Sequence, residues 1–451
     1  MGGGGIRKMK HNLFNKSLAL VIISLFIGTT FIPVTGRILS ENKTLPLEKQ
    51  IGSNDDLFFD LKIKLLMKLC HMPSLSACII KDNSIAWSKG YGFYDIIHKK
   101  KASDDTIYMI GSISKSITAT ALMQLYEQGL FDLDDDVSDY LSFTLRNPKY
   151  PDVPITFRML LAHQSSLFEY QIGMYGALKI LLKSLPIPEK PYPWLKELLV
   201  PGGSIYDPEL WMDYPPGTEA NYSNVGFIIL GYLLELISNQ SIEQYCYEHI
   251  FKPLNMMNTS FHYDDLDRGR LAIPYMWMAG FYIPLPHYDF RLATSIGGLR
   301  TTVEDLSHFL IAHMNNGMYN GIRILKEETV ELMHTVQYPN SDFHGIQFGL
   351  GWIIWPENGE THEGHIGGTL GGFAVMKMHD DAGVIFLFNQ CRGYSTTGER
   401  KAVYSIEKML FQKADGNCGC GINEGRLNEK DLENAENFAK DLLNKLGEVR
   451  K

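Results

Sequence analysis

The sequence predicts an α/β chain of the α+β kind, with an antiparallel sheet beside a separate helical region. One observation is an early pair of strand patterns, residues 76–80 and 84–87, joined by the turn Lys81-Asp82-Asn83. The second is another group of strand patterns late in the chain, and the third is that the helical patterns lie between the two groups. Strands in two groups with helices between them favour an antiparallel sheet plus a helical region.

The individual elements follow from the spacing of apolar residues. An apolar helical pattern opens at Ser112 and ends near Gly129. Further helical patterns cover residues 155–161, 225–238, 303–314 and 402–411. The segment Gly349-Leu350-Gly351-Trp352 marks a strand start, and the last strands are predicted at residues 369–378 and 383–389.

The composition limits the classes of function. The chain has 451 residues, of which 45% are hydrophobic, so a large buried core is expected. Its formal net charge of -9 gives no basic surface for nucleic acid. We therefore expect no nucleic-acid partner.

The N-terminus has the pattern of a targeting segment. Basic residues precede residues 17–34, an uncharged apolar run of 18 residues. That length is long for a cleaved signal and just enough to span a bilayer, while a buried core helix is the alternative. We predict that residues 1–36 are a signal peptide or membrane anchor and that 37–55 are a linker. The main body is then extracytoplasmic, either secreted or attached to a membrane.

The remaining chain divides into three parts. Residues 56–415 are predicted to form the main domain. Within it, residues 170–215 are rich in proline and tryptophan and have the composition of a lid-like insertion, although ordinary surface cover has the same composition. Residues 421–451 are predicted to be a C-terminal tail with a charged amphipathic helix over 429–446.

The pair Ser112 and Lys115 is the first candidate for chemistry. Residues three apart share one face of a helix, so the lysine amine can lie beside the serine hydroxyl and help to remove its proton. The spacing alone is weak evidence because Ser-x-x-Lys also occurs at Ser40/Lys43 and Ser405/Lys408. Ser112 is distinguished by two further segments.

The first of these segments is Tyr222-Ser223-Asn224, and the second is His365-Ile366-Gly367-Gly368. A phenolate at Tyr222, favoured by a nearby lysine ammonium, can carry a proton from Ser112 to a leaving group. Asn224 can donate its amide to a substrate and accept a hydrogen bond from Lys115. Glycines around the histidine segment let a substrate lie close to the strand.

A metal or cofactor is not expected. His362 and His365 form H-x-x-H, but a third ligand is missing from the pattern, and Cys418 and Cys420 lack two further ligands. The six cysteines are too scattered to form a disulfide framework in a chain of this size. The G-x-S-x-G and H-E-x-x-H motifs are also absent from the sequence.

Taken in order, three motifs resemble those of serine β-lactamases and penicillin-binding proteins, and most closely those of class C β-lactamases and their esterase and D-aminopeptidase relatives. They are Gly111-Ser112-Ile113-Ser114-Lys115, Tyr222-Ser223-Asn224 and His365-Ile366-Gly367. The resemblance covers roughly residues 60–412. Other matching segments are residues 160–167 (similar to the family's LLTHTSGL), Pro216-Gly217-Thr218, Gly297-Gly298-Leu299, Glu304-Asp305-Leu306 and residues 348–352.

The resemblance implies an antiparallel sheet flanked by helices, with an all-helical subdomain and the site between them. It implies that Ser112 is the acylated nucleophile and that Lys115 and Tyr222 transfer the proton. Backbone N–H groups of Ser112 and Gly368 would form the oxyanion hole, and each donor of this kind is worth about 3 kcal/mol of barrier. Asn224, His365 and Gly367 would then contact the substrate.

The chain also departs from the family pattern. Many lactamases carry Lys-Thr-Gly where this sequence has His365-Ile366-Gly367, so a fixed cation and a hydroxyl are replaced. Both changes weaken recognition of a substrate carboxylate. We therefore expect esters, amides or peptides as substrates rather than β-lactams. Ser166 replaces a family glycine, which affects the expected turn. The alternative function is that of a penicillin sensor that stays acylated, or of a scaffold protein of the same fold.

Overall fold

The computed structural model describes residues 54–168, 191–290, 294–357, 359–390 and 397–416. The helices of these ranges are α1 (Asn54–Leu69), α2 (Ser114–Glu127), α3 (Phe157–Leu161), α4 (Pro191–Leu199), α5 (Asn224–Ser238), α6 (Ile242–Cys246), α7 (Thr294–Gly297), α8 (Val303–Met314), α9 (Glu327–His334) and α10 (Thr397–Ala414). The strands are β1 (Ser74–Lys81), β2 (Ser84–Asp95), β3 (Lys100–Lys101), β4 (Tyr108–Met109), β5 (Tyr275–Met278), β6 (Phe281–Pro284), β7 (Arg300–Thr301), β8 (Met318–Tyr319), β9 (Ile322–Arg323), β10 (Gln347–Phe348), β11 (Ile353–Glu357), β12 (Glu360–Thr369), β13 (Gly372–His379) and β14 (Ala382–Phe388).

The main sheet has eight strands in the order β10-β11-β12-β13-β14-β1-β2-β3. Every neighbouring pair is antiparallel. The early strand β1 pairs with the last strand β14, from Leu75 opposite Phe388 to Lys81 opposite Ala382. Strands from the beginning and the end of the domain therefore pair in one open sheet. The predicted fold class, an antiparallel sheet flanked by helices, is confirmed.

Alternation along the strands separates two hydrophobic cores, because successive side chains of a strand point to opposite faces. On β13, Ala374 and Met376 belong to the larger core, while Phe373 and Val375 belong to the smaller one. We call the first the front face and the second the rear face of the sheet. The larger core contains side chains of α2, α5 and α8, and the smaller core contains those of α1 and α10.

The rear face also contains a buried ion pair. Lys377 of β13 is 3% exposed, and its Nζ lies 2.7 Å from Oε1 of Glu407 on α10. The same amine lies 3.7 Å from Glu357 and 4.2 Å from the ring centroid of Trp355. Burial raises the pKa of the Glu407 carboxyl, although the Lys377 ammonium acts in the opposite direction.

Several predicted boundaries change. The strand predicted over 369–378 is interrupted, because β12 ends at Thr369 and β13 begins at Gly372, with Gly371 in a turn at φ +88°. The residues Gly349-Leu350-Gly351-Trp352 do not begin a strand but form the turn between β10 and β11. The helix predicted over 155–161 is shorter and begins at Phe157, where Thr156 caps it by accepting from the N–H of Met159.

In the described half of the predicted insertion, α4 packs into the core. Trp194, Leu195 and Leu198 of α4 belong to the larger hydrophobic core, as does Trp211. The rest of the insertion, residues 169–190, lies outside the described residues, as do the predicted targeting segment, most of the linker and the C-terminal tail. The insertion and the tail therefore stay predictions.

In the described part of the chain, no single helix has the length and apolar character needed to cross a membrane. The bent pair Asn224–Ser238 and Ile242–Phe251, with 77° between the two helices, meets the criterion by length and composition only.

Candidate active site

The nucleophile candidate lies in a short turn in front of α2. Ser112 is the middle residue of the 3₁₀ turn Gly111–Ile113 and is partly exposed. The hydroxyl of Ser114 donates to Gly111 O at 2.7 Å and accepts from the N–H of Leu299 at 3.2 Å. These two bonds attach the turn to the segment after α7, so the position of Ser112 is fixed by neighbours on both sides.

Lys115 points back along α2 to Ser112. Its side chain is completely buried, and its Nζ donates to Ser112 Oγ at 3.0 Å and to Ile296 O at 3.1 Å. The spacing of three residues predicts this contact. The Ile296 carbonyl, which belongs to α7, has no signal of its own in the sequence and is found only in the structure.

Tyr222 lies beside the same amine. The Lys115 Nζ is 5.0 Å from the centroid of the Tyr222 ring. The next residue, Ser223, begins α5 as its N-cap, because its hydroxyl accepts from the N–H of Gly226 at 3.0 Å. Asn224 is the first residue of α5 and is partly exposed, and its predicted contact with Lys115 stays a prediction.

His365 lies on the front face of β12, on the same side of the sheet as Met376 and near Tyr222. Its ring is 1% exposed and lies 6.2 Å from the Tyr222 ring, measured between centroids. Burial, together with the charge of Lys115, lowers the pKa of His365 to about 3. The imidazole is therefore neutral at neutral pH. Because the Ile366 carbonyl can only accept, Nδ1 carries the proton and donates to it at 2.8 Å.

Glycines bring β12 against the nucleophile turn. A Cβ added at Gly367 would lie 1.8 Å from Ile110 O and 2.9 Å from the backbone N of Ser112. A Cβ added at Gly111, where φ is +53°, would lie 2.8 Å from the backbone N of Gly368. Only residues without side chains allow this approach of two backbones. The structure thus brings together the predicted residues Ser112, Lys115, Tyr222, His365, Gly367 and Gly368.

Other candidate groups do not join the site. His362 packs against Phe411 of α10 on the rear face, so it and His365 lie on opposite sides of β12. Within the described ranges, no group of three or more histidine, cysteine or acidic side chains could hold a metal ion. The hydroxyl of Ser405 on α10 donates to Lys401 O, so the pair Ser405/Lys408 is part of an ordinary helix surface. The pair Ser40/Lys43 lies outside the described residues.

Sequence reasoning missed one side chain of the site. His163 is 2% exposed, and its ring stacks on that of Tyr222 at a centroid distance of 4.4 Å. The signal in the sequence that could have identified His163 is the segment 160–167, which contains it and resembles the family's LLTHTSGL. Ser166 has φ +54°, so the residue that replaces the family glycine adopts the left-handed conformation.

Known proteins are similar to this chain over most of its length. The family model described as "Beta-lactamase" matches residues 59–186 and 206–403. "Protein flp" of Staphylococcus aureus (strain MW2) is 28% identical over 324 residues, which are 71% of this chain and 60% of that protein. "Beta-lactamase-like protein 4" of Dictyostelium discoideum is 29% identical, over 68% of this chain and 54% of that protein. The chain therefore spans little more than half the length of these relatives.

Solved structures share the fold. The octameric penicillin-binding protein homologue from Pyrococcus abyssi has a TM-score of 0.65 and 28% identity, over 79% of this chain and 78% of that one. The D-amino acid amidase from Ochrobactrum anthropi SV3 has a TM-score of 0.61 and 18% identity, over 80% of this chain and 100% of that one. At that identity the second similarity describes the fold alone.

Proposed function

This chain belongs to the β-lactamase family, and from that premise we propose that it is a serine hydrolase that forms an acyl-enzyme on Ser112. The observation that carries the proposal is the 3.0 Å contact of the buried Lys115 amine with the Ser112 hydroxyl, with the Tyr222 ring beside it. A nucleophile, a proton acceptor and a third group next to the acceptor are the parts that such a reaction needs.

In the proposed reaction, Ser112 Oγ bonds to the substrate carbonyl carbon and its proton passes to the Lys115–Tyr222 pair. The pair returns the proton to the leaving oxygen or nitrogen as the carbonyl carbon releases it. Water then attacks the acyl carbon and gives a proton to the same pair. The pair passes this proton to Ser112 Oγ as the bond between Oγ and the acyl carbon breaks, which releases the acid and restores the serine hydroxyl. The backbone N–H groups of Ser112 and Gly368 are the proposed donors to the carbonyl oxygen during both steps.

The substrate is proposed to be an ester, amide or peptide whose acyl part is not recognised through a carboxylate. The neutral His365 supports this choice, because its Nδ1–H donates a hydrogen bond to Ile366 O and Nε2 remains an acceptor. A neutral acceptor offers no cation to a carboxylate. We expect slow turnover of nitrocefin compared with p-nitrophenyl esters.

Labelling and turnover together test the proposal. The full chain is incubated with a fluorophosphonate probe and, separately, with p-nitrophenyl esters of different acyl length. Wild type is compared with Ser112→Ala and with Ser405→Ala, which removes a serine of the same Ser-x-x-Lys spacing on the surface of α10. We expect labelling and steady product release in wild type and Ser405→Ala, and neither in Ser112→Ala.

Two other outcomes would favour the alternatives. Labelling with one equivalent of product and no further release would indicate a sensor that stays acylated. No labelling of the wild-type chain would indicate a scaffold. Equal labelling of wild type and Ser112→Ala would contradict the assignment of the nucleophile.

The cellular location is a separate proposal. The basic residues before the apolar segment 17–34 support export, with the main domain outside the cytoplasm and either released or tethered to a membrane. Fractionation of cells that express the full chain tests it, and recovery of the uncleaved chain in the cytosolic fraction would contradict it.

A further inference from the structure

The segment that carries Tyr222 is held by one residue from a distant part of the chain. His163 lies just after the end of α3, and its carbonyl accepts from the N–H of Asn221 at 2.8 Å. Its ring Nδ1 accepts from the N–H of Ser223 at 3.1 Å. The backbone is therefore bound on both sides of Tyr222 by the same residue.

The histidine ring also contacts the phenol itself. The rings of His163 and Tyr222 stack at 4.4 Å with 29° between their planes. Phe227 and Phe348 contact the other sides of the histidine ring at centroid distances of 5.1 and 4.8 Å. His163 adopts φ +57°, an uncommon conformation for a residue other than glycine, which turns the chain after α3 toward this aromatic group.

The protonation state follows from these contacts. Because Nδ1 accepts from Ser223 N–H, the proton of the neutral ring is on Nε2. Burial and the charge of Lys115 lower the pKa of His163, and His365 adds to the effect. An uncharged ring next to Lys115 is the form that can keep the acceptor for Ser223.

We infer that His163 is a positioning residue that holds Tyr222 against the Lys115–Ser112 pair by binding the backbone on both sides of the tyrosine. The inference rests on the proposed function, because it assigns His163 an effect on proton transfer only through Tyr222. It predicts that the acceptor at Nδ1 matters more than the aromatic ring.

Two substitutions separate the acceptor from the ring. His163→Phe keeps a stacking ring and removes the acceptor, whereas His163→Asn keeps an acceptor oxygen near the position of Nδ1 and tolerates the left-handed conformation. The acylation rate with a p-nitrophenyl ester is measured from pH 6 to 10 by single-turnover release of p-nitrophenol, and folding is checked by thermal unfolding. We expect a loss of about 10- to 100-fold and a changed pH profile for His163→Phe. For His163→Asn we expect a loss of only about 3-fold, which is about half of one tenfold step in rate.

A double-mutant cycle shows whether the effect acts through Tyr222. In the Tyr222→Phe background, His163→Phe should change the acylation rate by less than about 2-fold, because the group it positions is already absent. A full additional loss in that background, or equal losses in His163→Phe and His163→Asn, would overturn the inference. If His163→Phe does not fold, the rate and pH profile of His163→Asn decide, and a loss as large as that of Tyr222→Phe would overturn it.

The same data keep the two proposals apart. If Tyr222→Phe acylates as fast as wild type while Ser112→Ala does not react, the role of Tyr222 in the proposed function fails together with the role of His163. If Tyr222→Phe is slow and the cycle is additive, only the inference about His163 fails.

Discussion

Two buried lysines lie on opposite sides of the sheet, and their surroundings differ in charge. Lys115 in front and Lys377 behind are 0% and 3% exposed. The groups at hydrogen-bond distance from Lys115 include the Ser112 hydroxyl and the Ile296 carbonyl, which are neutral. Lys377 lies between the carboxylates of Glu407 and Glu357.

The comparison shows that burial alone does not identify a reactive lysine. A carboxylate next to a buried ammonium stabilises the charged form and ties both side chains to the stability of the fold. A hydroxyl next to the amine can exchange a proton with it. The front lysine should therefore affect the reaction, and the rear lysine should affect stability.

The largest effect is expected for Lys115→Met. The substitution keeps a long side chain and removes the amine beside Ser112, so the acylation rate should fall by about 10²- to 10⁴-fold. The free energy of unfolding should fall by less than about 1 kcal/mol, since active-site charges are commonly not optimised for stability. Single-turnover labelling and chemical denaturation measure the two quantities. A retained rate would remove Lys115 from the reaction.

The opposite pattern is expected for Lys377→Met. This variant leaves Glu407 buried without its closest cation, and breaking a buried pair in this way costs about 3–5 kcal/mol of unfolding free energy. The double variant Lys377→Met/Glu407→Leu should recover most of that loss. In folded protein, the acylation rate should stay within about 3-fold of wild type. A rate as low as that of Lys115→Met would end the distinction between the two lysines.

The sequence predicted this contrast only in part. The spacing of Ser112 and Lys115 predicted their contact, and the helix over Val303–Met314 has the bounds that its apolar pattern predicted. The rear ion pair was not predicted, because β13 and α10 are separated in the chain by β14 and a local pattern does not show which strand face a helix covers.

The hold of His163 on Tyr222 was missed for a related reason. Its bonds to Asn221 and Ser223 are made to backbone groups, which every residue has, so no residue type marks them. The strand predicted over 369–378 was wrong at Leu370 and Gly371, because apolar alternation continues through a tight turn. Glycine at 371 was the available signal, since its φ is +88°.

The buried ring of His365 on the front side should also make the unfolding free energy depend on pH in the acid range. The pKa of His365 is lowered from 6.5 to about 3, so the folded state keeps the ring neutral while the unfolded chain takes up a proton below pH 6.5. Stability from this group is complete above pH 6.5 and is lost as pH falls toward 3. At pH 4 the loss is about 3 kcal/mol.

His365→Gln tests this, because glutamine does not titrate. The loss of unfolding free energy between pH 7 and pH 4 should be about 3 kcal/mol smaller in His365→Gln than in wild type. Lys115→Met should reduce the same loss by a smaller amount, since burial is the larger cause of the shift and the charge of Lys115 the second. Equal pH dependence in wild type and His365→Gln would show that the ring is not held neutral.

The smallest change in stability and activity is expected at the neighbouring residue, Ile366. Here the role in substrate choice that the sequence suggested differs from the position of the side chain in the structure. The missing hydroxyl at this position was expected to weaken carboxylate recognition. The structure packs Ile366 against the rear core, on the side of Lys377 and away from His365. A hydroxyl there would lie partly buried against apolar groups. Ile366→Thr should therefore cost about 1–2 kcal/mol, more than the matched control Ile366→Val, and should not speed nitrocefin turnover. A gain in nitrocefin turnover by Ile366→Thr alone would mean that this side chain reaches the cleft. The assignment of residue 366 to the rear face of β12 would then be wrong.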